Sequence, residues 1–326
     1  MRTPAEWEPH ERTLMGWPCR VELWGVTMEQ ARADYAAVAN AVGAFEPVTM
    51  IANPGADAAL ARAACGAGVE IVELELDDSW LRDCGPIYTL ADDGARVAVH
   101  FAFNAWGEKF PPWDHDAVVG RLIAERLGDR VVESSLVLEG GSILTDGQGT
   151  LLTTEQCLLN PNRNPSWSRE QIESELSARL GVQRFVWLGV GLVEDRDTDG
   201  HVDLIAAFTP PGHVLLQMVG EENPNYEHCL DNRARLATAG LKVTELPQLP
   251  YARVAGEPIA ASYLNFYICN RAVIVPVAGA DTDQEALEII GGAYPGREVV
   301  PVPGLVLAYG GGGPHCITQQ VPPRNA

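Results

Sequence analysis

The chain has 326 residues, 46% hydrophobic and 21% charged, enough to bury a core and unlike a disordered composition. Its formal net charge of −21 excludes a phosphate backbone as a natural partner and favours cationic small molecules. No apolar run approaches the roughly 18 residues of a membrane span, and Met1–Trp7 lacks a charged-then-apolar leader, so a cytoplasmic protein without membrane or nucleic-acid partners is expected.

Taken in chain order, Thr13–Trp17 reads as a first strand. Thr27-Met-Glu-Gln30 is a capping-box pattern opening a helix over 27–43, followed by a β-like run at 48–51. A helix near 56–66 leads to a run at 70–74. The first β-hairpin then pairs 85–90 with 95–101 across Ala-Asp-Asp-Gly. A helix over 114–127 and a run at 131–133 precede a second hairpin, 141–145 with 150–154. Ser168-Arg-Glu-Gln171 opens a helix over 168–180, and 185–187 follows. The third hairpin joins 202–208 to 213–218 through Thr-Pro-Pro-Gly. A helix at 226–239 and a run at 242–245 come next. The fourth hairpin is 262–268 with 271–275, then a helix at 282–293 and a run at 298–301.

The repeated paragraph is hairpin, helix, strand, with hairpin starts roughly 50 to 60 residues apart, a period that points to a closed ring of repeats. Pairing a last strand near Cys316 with Thr13–Trp17 gives a fifth unit and closes the ring, so residues 1–326 are expected to form one α/β domain. A doubly wound parallel sheet is the competing architecture, disfavoured because parallel strands need long crossovers rather than hairpins.

Chemistry-bearing residues cluster at the starts of the inner strands: Trp80 and Asp83, Glu139, Asp197 with His201 and Asp203, and Cys316 behind a run of four glycines. A Cys316 thiolate is a strong nucleophile, His201 can shuttle its proton, and Glu139 can fix the imidazole tautomer. Asp83 and Asp203 add negative charge that a planar guanidinium would neutralise in paired hydrogen bonds, with Trp80 along its face. Each feature also has an ordinary structural reading: packing for the cysteine, a local hydrogen bond for His-x-Asp, and a turn for Glu-Gly-Gly. Seven cysteines form no CxxC pair, and the His, Cys and Asp residues lack the spacing of known zinc sites; neither a metal nor a disulfide framework is expected.

The segments Trp80-Leu-Arg-Asp-Cys-Gly-Pro86, Leu138-Glu-Gly-Gly-Ser-Ile143, Leu159-Asn-Pro-Asn-Arg-Asn-Pro165, Asp197-Thr-Asp-Gly-His-Val-Asp203, Ala261–Ile268 and Gly310–Gln320 together resemble the agmatine deiminase family, which is grouped with the peptidylarginine deiminases among guanidine-modifying enzymes. The resemblance runs from Trp7 to Gln320. It implies a five-bladed α/β propeller of the pentein type, with Cys316 as nucleophile, His201 as acid/base, Glu139 as its orienting partner, and Asp83 and Asp203 gripping the guanidinium. It also implies hydrolysis through an S-alkylthiouronium without cofactor or metal, turning agmatine into N-carbamoylputrescine and ammonia. Arginine in a peptide, amidino transfer to an amine, and a non-catalytic ring that binds cations are the competing readings; a homo-oligomer is left open. Relatives commonly read Asp-Asn-Trp-Arg after the first Trp-Pro where this chain has the stretch Val21-Glu-Leu-Trp24-Gly25, Asn after Gly-His-Val-Asp where it has Leu204, and Asn-Ile before His-Cys where it has Gly313-Pro314. Trp24, Asp197 and Gly313 are therefore the expected determinants of the substrate's approach and far end.

Overall fold

The computed structural model describes residues 1–210, 212–247 and 251–324. Its unit is clearest in the segment following Trp80. Strand Ile87–Leu90 pairs antiparallel with Arg96–Ala102, the chain crosses over through helix Asp116–Leu127, and Arg130–Val137 then pairs parallel with Arg96–Ala102. A parallel pair requires a crossover of about a dozen residues, which the helix supplies.

The same order recurs with Ile143–Thr145, Thr150–Thr154, helix Arg169–Leu180 and Arg184–Leu188. It recurs with Ala206–Thr209, His213–Met218, helix Tyr226–Thr238 and Lys242–Pro247, and again with Tyr267–Cys269, Ala272–Val277, helix Asp283–Ala293 and Glu298–Pro303. The remaining sheet is split in sequence. Thr318–Val321 pairs antiparallel with Arg12–Gly16, in the register Thr13 opposite Gln320, and Val48–Ala52 pairs parallel after helix Met28–Gly43. A further helix, Ala56–Ala64, and strand Val69–Glu73 extend this sheet to four strands.

The fold is mixed α/β, and a doubly wound parallel sheet is excluded because each of these five sheets combines one antiparallel with one or more parallel pairs. Strands Ile87–Leu90, Ile143–Thr145 and Ala206–Thr209 are buried at every position, whereas the last strands of the sheets, such as Val69–Glu73 and Arg130–Val137, carry exposed residues. Apolar residues on both faces are what a strand covered from two sides requires. Among the described residues, no helix is long and apolar enough to cross a membrane.

Several expectations change in detail. The Ser168 capping box forms as read, but Thr27 does not cap its helix. Thr27 ends a single 3-10 turn, Gly25–Thr27, that runs straight into Met28–Gly43; its hydroxyl turns back to the Trp24 carbonyl, and Gln30 bonds Asp34 instead. The third and fourth hairpins start later than expected. Val202–Leu204 is a 3-10 turn, and the fourth inner strand begins at Tyr267. Pro211, within the expected Thr-Pro-Pro-Gly turn, lies outside the described residues, as do Asn325 and Ala326 of the expected domain. The sequence pattern did not announce the small hairpin Ala252–Val254 with Glu257–Ile259, or the helices Val21–Trp24 and Leu305–Tyr309.

Candidate active site

The late start of these strands positions the reactive side chains. Asp83 lies in the one-turn helix Leu81–Cys84, Glu139 immediately before the turn Gly140–Ser142, and His201 and Asp203 at the turn Val202–Leu204. Cys316 sits just ahead of strand Thr318–Val321. A tight turn ahead of an inner strand lets the side chain project inward while the strand enters the core. The turns also grip one another: Gly141 N–H donates to Asp83 Oδ1 at 2.9 Å, and Arg82 N–H to the Cys316 carbonyl at 3.2 Å. A Cβ added at Gly141 would lie 2.7 Å from His201 Nδ1 and 2.9 Å from both Asp83 Oδ1 and Asp203 Oδ2. Three side chains from two repeats thus converge on one point, and only glycine fits between them.

His201 is fully buried between two carboxylates, with Nε2 3.5 Å from Glu139 Oε2 and Nδ1 3.9 Å from Asp83 Oδ1. Burial opposes its charge, but Asp83, then Cys157 and Glu139, prevail and hold its pKa well above the usual histidine value. For Glu139 burial is again opposed, here by Arg163 and then His201, so its carboxyl stays below its ordinary range. Arg163 donates from Nε to Glu139 Oε1 at 2.7 Å and from Nη1 to Asp199 Oδ2 at 2.8 Å. Asp83 has no arginine partner, and His201, 3.9 Å away, is the cation that opposes its rise. Burial first, with Asp203 and Glu139 nearby, pushes its carboxyl up to about 6 while its Oδ2 accepts from Trp106 Nε1 at 2.9 Å.

Cys316 Sγ lies 3.3 Å from Asp203 Oδ2 and 3.1 Å from Asn265 Nδ2. Burial, then Asp203 and Asp83, push its thiol well above the usual cysteine range. Asp203 is held in place by His315, whose Nδ1 is 2.8 Å from Asp203 Oδ2 and whose Nε2 is 2.8 Å from Glu6 Oε1. Carboxylates only accept, so His315 donates from both nitrogens as an imidazolium. Its pKa is raised: burial and Arg82 oppose the charge, and Glu6 and Asp203 overcome them. The Asp203 carboxyl is lowered in turn, His315 outweighing burial.

A recess opens above Cys316. Trp80, Trp106, Phe110 and Leu23 give it apolar surface, and Asp78, Asp83, Asp197, Thr198, Gly310 and Gly311 complete the lining. None of these is Lys or Arg. Two cations contact the lining from outside it: Arg20 Nε lies 3.0 Å from Asp78 Oδ2, and Lys109 Nζ lies 2.7 Å from Asp199 Oδ1 and donates to the Asp197 carbonyl at 2.9 Å. Gly312 lets the backbone pass between Trp80 and the nucleophile, since a Cβ there would be 2.8 Å from both the Trp80 ring and Cys316 Sγ.

Of the residues singled out in the sequence, Cys316, Asp83, Trp80 and Asp197 line this recess; His201, Glu139 and Asp203 do not, and reach it through His201 beside Asp83 and Asp203 beside Cys316. Trp24 is fully buried and stacks behind Trp80, ring centroids 5.9 Å apart at 25°, so it backs the wall. Gly313 faces the Asn265 side chain and not the recess. Sequence reading assigned no role to Arg163, Asn265, His315 or Glu6. Arg163 and Asn265 stood inside quoted motifs, and His315 beside the nucleophile, but their partners are remote in the chain.

Glu139, Cys157 and His201 bring potential ligand atoms within 4.8 Å of one another, the residue types a soft divalent metal prefers. The local charges suit a metal poorly: Arg163 already occupies one Glu139 oxygen, and the surrounding carboxylates favour a protonated His201, which has no lone pair to offer.

A buried thiol, an imidazole and paired carboxylates beneath an aromatic, cation-free recess are the parts of a guanidine-modifying site, and comparison with known proteins agrees. The family model for Porphyromonas-type peptidyl-arginine deiminase matches residues 2–322. The agmatine deiminase of Stutzerimonas stutzeri is 42% identical, over 98% of this chain and 95% of its own. Among solved structures, the agmatine deiminase of Enterococcus faecalis superposes with a TM-score of 0.94 at 36% identity, covering 99% of this chain and 96% of that one. A C. jejuni agmatine deiminase with substrate bound gives 0.92 at 28% identity, covering 98% and 96%. The chain belongs to the family of agmatine deiminases and Porphyromonas-type peptidyl-arginine deiminases.

Proposed function

We propose that this protein hydrolyses agmatine to N-carbamoylputrescine and ammonia, with Cys316 as the nucleophile. The observation that carries this reading is the charge layout: a thiol set beside Asp83 and Asp203, at the base of a recess that no Lys or Arg lines. Such a site is complete only when a cation enters it, and a guanidinium offers planar, multiple N–H donors to two carboxylates at once.

Entry of that cation offsets the carboxylate field that holds the Cys316 proton, so substrate binding itself favours the thiolate; the thiol proton passes to solvent as the cation binds and is regained when the product leaves. The thiolate adds to the guanidinium carbon, and His201, already favoured as imidazolium, protonates the departing amino group, which leaves as ammonia. Neutral His201 then takes a proton from water as it attacks the S-alkylthiouronium. The C–S bond breaks, a urea forms, the thiolate returns, and the remaining proton leaves with ammonia as ammonium. Glu139, fixed by Arg163, steadies the charged imidazole through this exchange.

Agmatine is preferred over arginine because no Lys or Arg lines the recess to receive an α-carboxylate, and Asp197, which unlike the Arg20-paired Asp78 makes no ion pair among the described residues, attracts a terminal ammonium. Asp197, whose carboxyl is raised by burial and then Asp195, gains a partner when that ammonium arrives. Trp80 and Trp106 flank the aliphatic stem, and Trp24 holds Trp80 in place. The five equivalent sheets and the pairing of Arg12–Gly16 with Thr318–Val321 support reading the molecule as a single-domain, five-bladed propeller of the pentein type.

Ammonia release from agmatine, free arginine and an arginine-containing peptide tests the substrate assignment. Agmatine turnover exceeding both others supports it, and faster peptide turnover replaces it with a peptidyl-arginine deiminase. Product mass separates a urea from an amidino group transferred to an added amine. Unchanged turnover in Cys316→Ser overturns the cysteine mechanism.

A further inference from the structure

Residues 2–10 belong to none of the five sheets, yet they touch every repeat. Arg2 exchanges backbone hydrogen bonds with Leu90 of the first repeat, both at 2.8 Å, and Thr3 N–H donates to the Leu180 carbonyl of the second at 3.1 Å. Trp7 lines a cavity with Ala206, Ala207 and Phe208 of the third, and its carbonyl accepts from Arg297 Nη2 of the fourth at 2.6 Å. Between these anchors Glu6 reaches His315, just ahead of the closing strand Thr318–Val321. We propose that Glu6 is a positioning residue for the deiminase reaction, setting Asp203 through His315 and the Cys316 backbone through Arg82. The role rests on reading Asp203 as a guanidinium ligand and Cys316 as the nucleophile.

Two buried cations need that carboxylate. His315 and Arg82 are both buried, and Arg82 Nε donates to the His315 carbonyl at 3.2 Å. Side by side they repel. Glu6 Oε1 serves both, 2.8 Å from His315 Nε2 and 3.2 Å from Arg82 Nη1. Among the described residues it is the one carboxylate paired with Arg82. Burial opposes the charge on Glu6, but His315 and then Arg82 bring its carboxyl down to about 2. Two branches lead from it to the site. One runs from His315 Nδ1 to Asp203 Oδ2 at 2.8 Å, and that oxygen lies 3.3 Å from Cys316 Sγ. The other runs through Arg82, whose side chain holds the His315 carbonyl and whose N–H holds the Cys316 carbonyl.

Glu6 itself does not meet the substrate. Cys316 and Asp83 line the recess, whereas Glu6, His315 and Asp203 line the Trp7 cavity, and the two share no residue. Its contribution is therefore alignment of Asp203 and Cys316. Without Glu6, two adjacent cations stay buried and short of a counter-charge, the costly state of a broken ion pair. His315 then gives up its proton more readily, and Asp203 loses a charged partner.

Restoring the charge without the side chain tests this. Agmatine KM and kcat are measured for Glu6→Gln, Glu6→Asp and Glu6→Ala, with and without sodium formate. Glu6→Gln keeps the shape and loses the charge, so it is informative even where Glu6→Ala fails to fold. KM should rise about tenfold in Glu6→Gln and Glu6→Ala, the size of a coupling within one ion-pair network, with kcat within a few-fold. Glu6→Asp, which keeps the charge, should stay closer to wild type. Formate, a carboxylate small enough for the vacated space, should recover most of the lost KM in Glu6→Ala and none in Glu6→Gln. Glu8→Gln is the control, because Glu8 holds Arg2 and the Ala5 N–H of the same segment without touching His315. A wild-type KM in Glu6→Gln overturns the inference. So does an equal KM rise in Glu8→Gln, or a folded Glu6→Ala that formate leaves unchanged. Unaltered agmatine KM and kcat in Asp203→Asn would instead overturn the reading beneath it.

Discussion

Two buried histidines flank the nucleophile, and they are held differently. His315 has both ring nitrogens bonded, at 2.8 Å to Asp203 and 2.8 Å to Glu6. His201 also lies between two carboxylates, but at 3.5 and 3.9 Å, and neither of its nitrogens completes a hydrogen bond. Both are pushed toward the imidazolium. The difference is freedom. A ring fastened at both nitrogens commits its protons to its neighbours and acts as a clamp. A ring framed by charge but not bonded can deliver a proton to a third group, which is what an acid/base catalyst must do.

Removing the shared centre gives the largest effect: Cys316→Ser should lower ammonia release from agmatine by ~10⁴-fold or more, while agmatine still raises the melting temperature. On the loose side, His201→Gln should cost ~10²–10⁴-fold in kcat and leave the melting temperature within a few degrees. The clamped side should show the opposite pattern. His315→Gln leaves one of two buried carboxylates without its partner, a loss of about 3 kcal/mol in denaturant unfolding, with activity down only about tenfold through KM as Asp203 loosens. Equal kcat losses in the two variants, with no stability difference, would break the distinction.

A pH titration sharpens it further. Asp83, raised to about 6 by burial despite the nearby His201, is charged above that pH and takes up a proton as pH falls through it. The protonated form loses half of the anionic grip on guanidinium, so kcat/KM for agmatine should drop as pH falls below about 6. Asp203, held low by His315, contributes nothing to that limb. The smallest effect is expected at the mouth. Asp197→Asn should raise the agmatine KM about fivefold at unchanged kcat, the worth of one partly solvated ion pair, and narrow the preference over arginine.

The architecture was legible because hairpins and helices write themselves locally, in period-two runs, turn clusters and capping residues. Where local pattern and tertiary context disagreed, context prevailed: Thr27 carries a capping sequence but belongs to a turn that already feeds the helix. The reactive residues were visible because Cys, His, Asp and Glu declare their chemistry by type. Their supports were not. Asn265 is an unremarked amide until Cys316 meets it 51 positions away, and His315 becomes a clamp only through Glu6, 309 positions away. Trp24 and Gly313 drew notice because their segments depart from the pattern of relatives, but a departure does not say where a side chain points: one backs Trp80 and the other abuts Asn265.

The pairing of Arg12–Gly16 with Thr318–Val321 has a consequence for timing. Contacts between segments so distant in sequence carry the greatest closure entropy and tend to form late. Cys316 stands two residues from that strand, so an incompletely folded chain can hold its carboxylates and imidazole while its cysteine remains an ordinary solvated thiol. Recovery of activity during refolding should therefore track the pairing of these two strands, and ammonia release should lag behind the return of helical signal.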